Sequence, residues 1–164
     1  MAMQRIGDWE KVAYLISHLG EEMKKAQLQA MQRWGLKAEA LAKKHIQAQD
    51  LGWTPLKPST ISAKIRKGYS ENILVATSSY FQSITSWVDK DKMIAYAGVK
   101  KTAKGKDGEE IADVAATHEF GSRSGGIPAR PLWQPVFAET MDWFESSDSR
   151  PSIIFMKNIK KYGV

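Results

Sequence analysis

Between Glu21 and about Gln49 the chain is rich in helix formers, and Met23, Ala26, Ala30, Trp34, Ala38, Leu41 and His45 trace one stripe along it. Apolar residues recurring at three- and four-residue steps define an amphipathic helix, and such a helix must bury its stripe against other elements. Upstream, Asp8 is placed as an N-cap, with Trp9, Val12, Ala13, Ile16 and Leu19 following at helical spacing. Gly20 stops or bends this first segment. Gly35 weakens the middle of the second, at a cost of about 1 kcal/mol against alanine that a packed stripe tolerates. The expectation is a long N-terminal helical region over residues 1–50, with His45 packed or partly exposed at the edge of the stripe.

The rest of the chain then has to supply what that stripe packs against. At 164 residues and 43% hydrophobic content, the sequence suits one domain over 1–164, with a core region at 51–145 and a tail segment at 146–164. No apolar run approaches the roughly 18 residues of a membrane span. MAMQRIGDWEK brings in Asp8, Glu10 and Lys11 at once, unlike the apolar block of a signal peptide, so synthesis in the cytoplasm is expected. With no cysteine, disulfides, thiolate metal sites and cysteine nucleophiles are excluded. The net charge of +6 and pI near 9.4 admit a nucleic-acid partner. The lysines are dispersed, however, and the one dense cluster, KKTAKGKDGEE, carries its own acids. Six tryptophans exceed what a small core ordinarily needs and suit a protein interface.

DLGWTPLKPST breaks the long helix at Gly52, Pro55 and Pro58. Ser59 to Lys67 has the pattern of a short helix, with Ile61 and Ile65 four apart and Gly68 as its stop. Ser79-Tyr80-Phe81-Gln82 has the S-x-x-Q form of a capping box and predicts a helical turn. SITSWV and KMIAYAGV are strands, joined by a hairpin turn at Asp89-Lys90-Asp91-Lys92. Residues 100–108 form a mobile Gly- and Lys-rich loop without the glycine spacing or Lys-Ser/Thr ending of a phosphate-binding loop. Glu109 and Glu110 open a helix in which Ile111, Val114, Ala115 and His118 share a face and which Gly121 ends in a left-handed stop. Another helix runs from Pro131 to about Glu145, its beginning restricted or kinked by Pro135. Residues 153–161 fit either a helix or a strand. The fold class is α+β: a long N-terminal helix and several shorter helices around a small, mainly antiparallel sheet.

HEFGSRSGGIPARP, at 118–131, is the stretch that most invites a chemical reading. His118 and Glu119 are raw materials for general base catalysis or a metal site, but neighbours on a helix point about 100° apart and cannot face one reacting atom. No H-E-x-x-H and no G-x-S-x-G is present. Neither an enzyme, a metal nor a cofactor is expected; His118 fills a core edge and hydrogen-bonds a nearby backbone group. The loop makes better sense as geometry. Gly121 closes a helix, Gly125 and Gly126 permit sharp turning, and Pro128 and Pro131 stiffen the exit. Arg123 and Arg130 are then presented from a constrained backbone. Arg130 either ties its own loop to an acidic side chain or meets another molecule.

IADVAATHEFGSRSGGIPARPLWQPVF resembles the signature of tailed-phage tail-completion, or neck, proteins. These are typified by the HK97 gene-product-10-like proteins and the related virion morphogenesis proteins of Mu-like phages. In that signature a helix ending in His-Glu-Phe-Gly leads through a variable loop to Pro-Ala-Arg-Pro and another helix. Trp53, Pro55, Leu56, Thr60 and Lys64 resemble the family's W-x-P-L-x-x-x-T-x-x-x-K stretch. Ile73-Leu74, Thr77 and Ser83-Ile84 fall at its leucine-threonine-glycine segment, and Gly98-Val99 at a strand end. The similarity covers roughly residues 50–145; Ser78 departs from it, where a glycine is usual. The resemblance implies a structural virion protein, made in the bacterial host cytoplasm, that forms a ring, hexameric in expectation, joining tail to head. Its partners are copies of itself, a tail terminator and a head-side stopper or connector, with non-specific contact to DNA in the channel. A tail terminator and a basic nucleic-acid-binding protein are the alternatives. The residues expected to serve packing or subunit contact are Phe120, Arg130, Trp133 and Phe137, followed by Trp53 and the loop lysines Lys100, Lys101, Lys104 and Lys106.

Overall fold

The computed structural model describes residues 8–106 and 108–162. Residues 1–7, Asp107 and residues 163–164 lie outside the described residues, and with them most of the MAMQRIGDWEK stretch. A single helix, α1, runs over Trp9–Ala48, about 60 Å at 1.5 Å per residue. The Asp8 carboxylate accepts from the Lys11 amide as its N-cap, as its position in the sequence suggests. Gly20 neither stops nor splits the helix, a correction to the expectation. A Cβ there would meet nothing, so the residue imposes only its small propensity cost on an otherwise strong helix. At the other end Gln49 turns left-handed, its N–H returning to the His45 carbonyl. Its side-chain amide then exchanges two hydrogen bonds with the backbone of Ile73.

Most of the expected stripe is buried: Ala26, Ala30, Ala38, Leu41 and His45, with Trp34 half-buried. Met23 is instead 48% exposed, and the buried line passes through Glu22. The reason is the C-terminal helix α6, Pro151–Ile159, whose Ile154 packs on Ala26 and Ala30. The 3₁₀ turn Lys160–Tyr162 that follows brings the Tyr162 hydroxyl to donate to the buried Glu22 carboxylate. That settles residues 153–161 as helical.

The sheet is one antiparallel hairpin, β1 Ile84–Asp89 and β2 Ile94–Val99, with Ile84 opposite Val99 and Asp89 opposite Ile94. The Asp89 carboxylate accepts from the amides of Asp91 and Lys92 and closes the expected turn. By alternation Ile84, Ser86 and Val88 share a face with Val99, Ala97 and Ala95, and this face lies on α1. Gly35 is where helix and hairpin come closest: a Cβ would lie 3.1 Å from Ser86 Cβ. The glycine that weakens the helix therefore lets the sheet approach it. Next to this contact Ser86 Oγ donates to Glu39, whose pKa is lowered chiefly by its Lys43 hydrogen bond.

Between helix and hairpin, α2 spans Pro58–Arg66 and α3 spans Ser79–Ser83. The capping box does not form. Ser78 is the N-cap, at φ 63°, without a side-chain cap, while the Ser79 hydroxyl pairs with Thr77. A left-handed residue of this kind is cheapest without a Cβ, so Ser78 holds a position that favours glycine. After β2, the basic loop is cross-braced by backbone bonds between Gly105 and Glu109 and between Ala103 and Ile111. Helix α4, Ile111–Phe120, follows, and helix α5 spans Trp133–Ser146. Helix α5 starts two residues later than Pro131, so Pro135 falls in its first turn, where the missing N–H has no helical partner to lose. The main core joins Ala38, Leu41, Ala42 and Ile46 of α1 to Trp53, Tyr80, Ile84, Ile111, Leu132 and Val136. Among the described residues no helix is long and apolar enough to cross a membrane.

Candidate functional site

The bend between α4 and α5 gathers most of the residues singled out above. Helix α4 ends because Gly121 takes φ 76° and ψ 174°. This is an extended mirror-image conformation, not the left-handed helical stop expected from sequence. Ser122 and Ile127 then exchange both backbone hydrogen bonds, at 2.8 and 2.9 Å. The four residues between them make a tight turn, with Gly126 at φ 61° and the Gly125 amide donating to Ser122 Oγ. The chain returns past its own helix, where the Arg130 amide donates to the His118 carbonyl at 2.7 Å.

Glu119 sets the start of α5. Its carboxylate accepts from the Leu132 amide at 2.8 Å and from the Trp133 amide at 3.2 Å. An anionic acceptor facing unpaired N–H groups and the positive end of the helix dipole is a favourable pairing. Nothing local in the sequence marks this role, because the partners lie 13 and 14 residues downstream. Two further ties hold the return strand to the segment after α1. Trp53 Nε1 donates to the Pro131 carbonyl at 2.8 Å, and Arg130 Nε donates to the Thr54 carbonyl at 3.0 Å. Arg130 is only 5% exposed. Its internal tie runs to a carbonyl in place of the acidic side chain expected.

His118 and Glu119 diverge as their helical spacing requires. His118 lines a cleft with Leu56, Thr60, Lys64, Tyr80 and Ile111. The expected backbone hydrogen bond is absent at its Nδ1, which is buried without a partner among the described residues. Burial, and then the Arg130 and Lys64 cations, hold this imidazole below its ordinary pKa of 6.5. It therefore stays neutral in the folded chain at a pH where the unfolded chain takes up a proton. Folding stability is full above the unfolded pKa of about 6.5 and falls as the pH drops from there through the lower folded pKa. His118→Gln, which cannot take up that proton, should show a shallower loss in urea unfolding between about pH 7.5 and pH 5.5. Equal slopes for the two proteins would refute the assignment.

The remaining candidates divide by exposure. Trp53 is buried, Trp133 is half-buried against the main core, and Pro128 and Pro131 are exposed on the loop surface. Phe120 stands 81% exposed at the loop. Phe137 is 55% exposed and meets Trp34 edge-on at 6.0 Å. Lys100 lies over the Trp87 ring, which stacks on Tyr96 on the hairpin face away from α1. Lys101, Lys104 and Lys106 are exposed, Lys104 near Glu110.

Two features have no counterpart in the sequence reading. Buried His45 places Nδ1 2.6 Å from Asp50 and Nε2 2.9 Å from Glu139. Only the first contact has hydrogen-bond geometry. The second feature is an open apolar groove of about 560 Å³ between α1 and α5. Met31, Trp34, Phe137, Met141 and Phe144 line it, with Met93 of the hairpin turn. The i, i+4, i+7 spacing of Phe137, Met141 and Phe144 is the signal that would have marked its α5 wall; no local signal marks that the groove stays uncovered. No group of three or more acidic or histidine side chains suited to hold a metal ion occurs among the described residues. Comparison of the chain with protein-family models, curated proteins and solved structures returns no match.

Proposed function

We propose that this chain is a non-enzymatic structural protein of a tailed-phage neck, a tail-completion component that closes into a ring and joins tail to head. One observation carries the reading: the two stretches that resemble the neck family lock onto each other in space. Trp53, from the W-x-P-L stretch, donates to Pro131, and Arg130, from the Pro-Ala-Arg-Pro stretch, donates back to Thr54. Together they make a brace across more than 75 residues of sequence, with Glu119 and Gly121 of His-Glu-Phe-Gly fixing its other side. Each of these residues is spent on shape.

The exposed surface supports assembly. The first two turns and beyond of α1 carry Trp9, Tyr14, Ile16, Leu19 and Met23, each at least 41% exposed. By their spacing Trp9, Ile16, Leu19 and Met23 fall on one face of the helix, and a continuous exposed apolar face of this kind marks protein contact. A ring needs a heterologous interface that closes on itself. Electron microscopy of phage particles encoding this chain is expected to place it as a ring at the head–tail junction. Intact particles whose neck contains no trace of the polypeptide would refute the reading.

A further inference from the structure

We infer that the cleft beside His118 is a binding site for a carboxylate carried on an apolar body, which supplies a counter-charge that the fold itself leaves out. The inference does not depend on the ring reading.

Arg130 raises the question. Its side chain is 5% exposed, and a buried guanidinium ordinarily faces a carboxylate, because an uncompensated charge out of water is costly. Among the described residues no acid pairs with it, and its Nε goes to the Thr54 carbonyl. Lys64 is likewise without an ion pair among the described residues. Its ammonium gives one hydrogen to the Asn72 carbonyl and keeps two. The charges that bear on the His118 imidazole are both positive, Arg130 and then Lys64. At Lys64 the Arg130 charge outweighs that of Glu71. The nearer acids are turned elsewhere. Glu119 is committed to the amides of Leu132 and Trp133. Glu109 lines the cleft but lays its carboxylate over Gly105 of the basic loop, where an added Cβ would collide with it.

The cleft itself selects the rest of the ligand. It holds about 340 Å³, and Leu56, Leu74, Val75, Ile111 and Val114 make its walls mostly apolar. The nitrogen donors on that lining are Lys64 and His118. Because His118 Nδ1 is buried with no partner among the described residues, the neutral ring is cheapest with Nδ1 bare and the proton on Nε2. Nε2 makes no hydrogen bond among the described residues and so remains free to donate. An ammonium and an N–H beside an apolar hollow, in the field of a buried guanidinium, match a carboxylate joined to an aliphatic or aromatic group. The wall opposite α4 is also preformed. The Gln49 amide exchanges two hydrogen bonds with Ile73, and Leu74 and Ser78 both hold φ at 63°. A pocket fixed in this way loses little entropy when it is filled.

Such a carboxylate belongs either to a free organic acid or to the carboxyl end of a peptide with an apolar last residue, and the test separates the two. The full chain is titrated with hexanoate and with N-acetyl-leucine, followed by the methyl chemical shifts of Val75, Ile111 and Val114. At least one probe should saturate with a Kd on the order of 1 mM or tighter. Tighter binding of hexanoate assigns the site to an organic acid, and tighter binding of N-acetyl-leucine assigns it to a peptide end. Hexanamide, the body without the charge, and acetate, the charge without the body, should each bind about tenfold more weakly or worse. Lys64→Gln and His118→Phe should each weaken the better probe about tenfold, the loss of one charge-assisted hydrogen bond. Absence of any shift at concentrations on the order of 20 mM would overturn the inference. So would hexanamide or acetate binding as well as hexanoate, or both variants binding like the parent chain. The comparison with hexanamide needs no substitution, so it decides the matter even where a variant folds poorly.

Discussion

Gly121→Ala should lower folding stability by about 3 kcal/mol, making it among the most damaging single-methyl additions available to this chain. At φ 76° and ψ 174° the residue occupies a region that side chains other than glycine essentially never enter. The added Cβ would also lie 2.9 Å from both the Ala129 nitrogen and the Ile127 oxygen. Those are backbone atoms of the returning strand, and neither can swing aside as the tip of a long side chain would. The chain must either strain there or give up the Ser122–Ile127 pairing. At roughly 2–4 °C per kcal/mol for a chain of this size, the melting midpoint should fall by about 6–12 °C. Gly126→Ala provides the control. It has a positive φ of 61° but open space around its Cβ, so only the backbone cost of about 1 kcal/mol remains. Equal losses in the two variants would mean that the close approach at Gly121 relaxes freely.

The contrast between these glycines shows where the sequence was legible. That HEFGSRSGG contains a helix stop and a turn follows from residue types alone. Which glycine is irreplaceable depends on Ala129 and Ile127 folding back onto one of them, a tertiary fact. The long helix was legible because its stripe repeats for many turns, and Gly20 could not interrupt it because one small propensity cost is outweighed by the helix around it. The rotation of the buried line from Met23 to Glu22 was not legible. It is decided by where α6 docks, and nine residues of α6 have no periodicity that separates helix from strand. The same limit hid Glu119. Its acceptor role requires a bend that first exists only once Gly121 and the Trp53 and Arg130 ties are in place.

Trp53→Ala should be more costly still, about 4 kcal/mol, and it separates the two ways in which the brace contributes. Trp53 is 8% exposed within the main core, so its removal leaves a large cavity among Leu132, Tyr80 and their neighbours. It also leaves the Pro131 carbonyl without its donor. Trp53→Phe keeps much of the ring volume and removes the N–H, which should cost about 1–2 kcal/mol, the net worth of one hydrogen bond plus a small packing loss. Urea unfolding of the two variants measures both figures, and their difference is the packing share. Against a total stability of about 5–15 kcal/mol, the alanine variant should be partly unfolded or prone to aggregate. The phenylalanine variant should stay folded with a looser loop, seen as faster amide hydrogen exchange over residues 122–130 than in the parent chain. Unchanged exchange there would show that Trp53 serves the core alone.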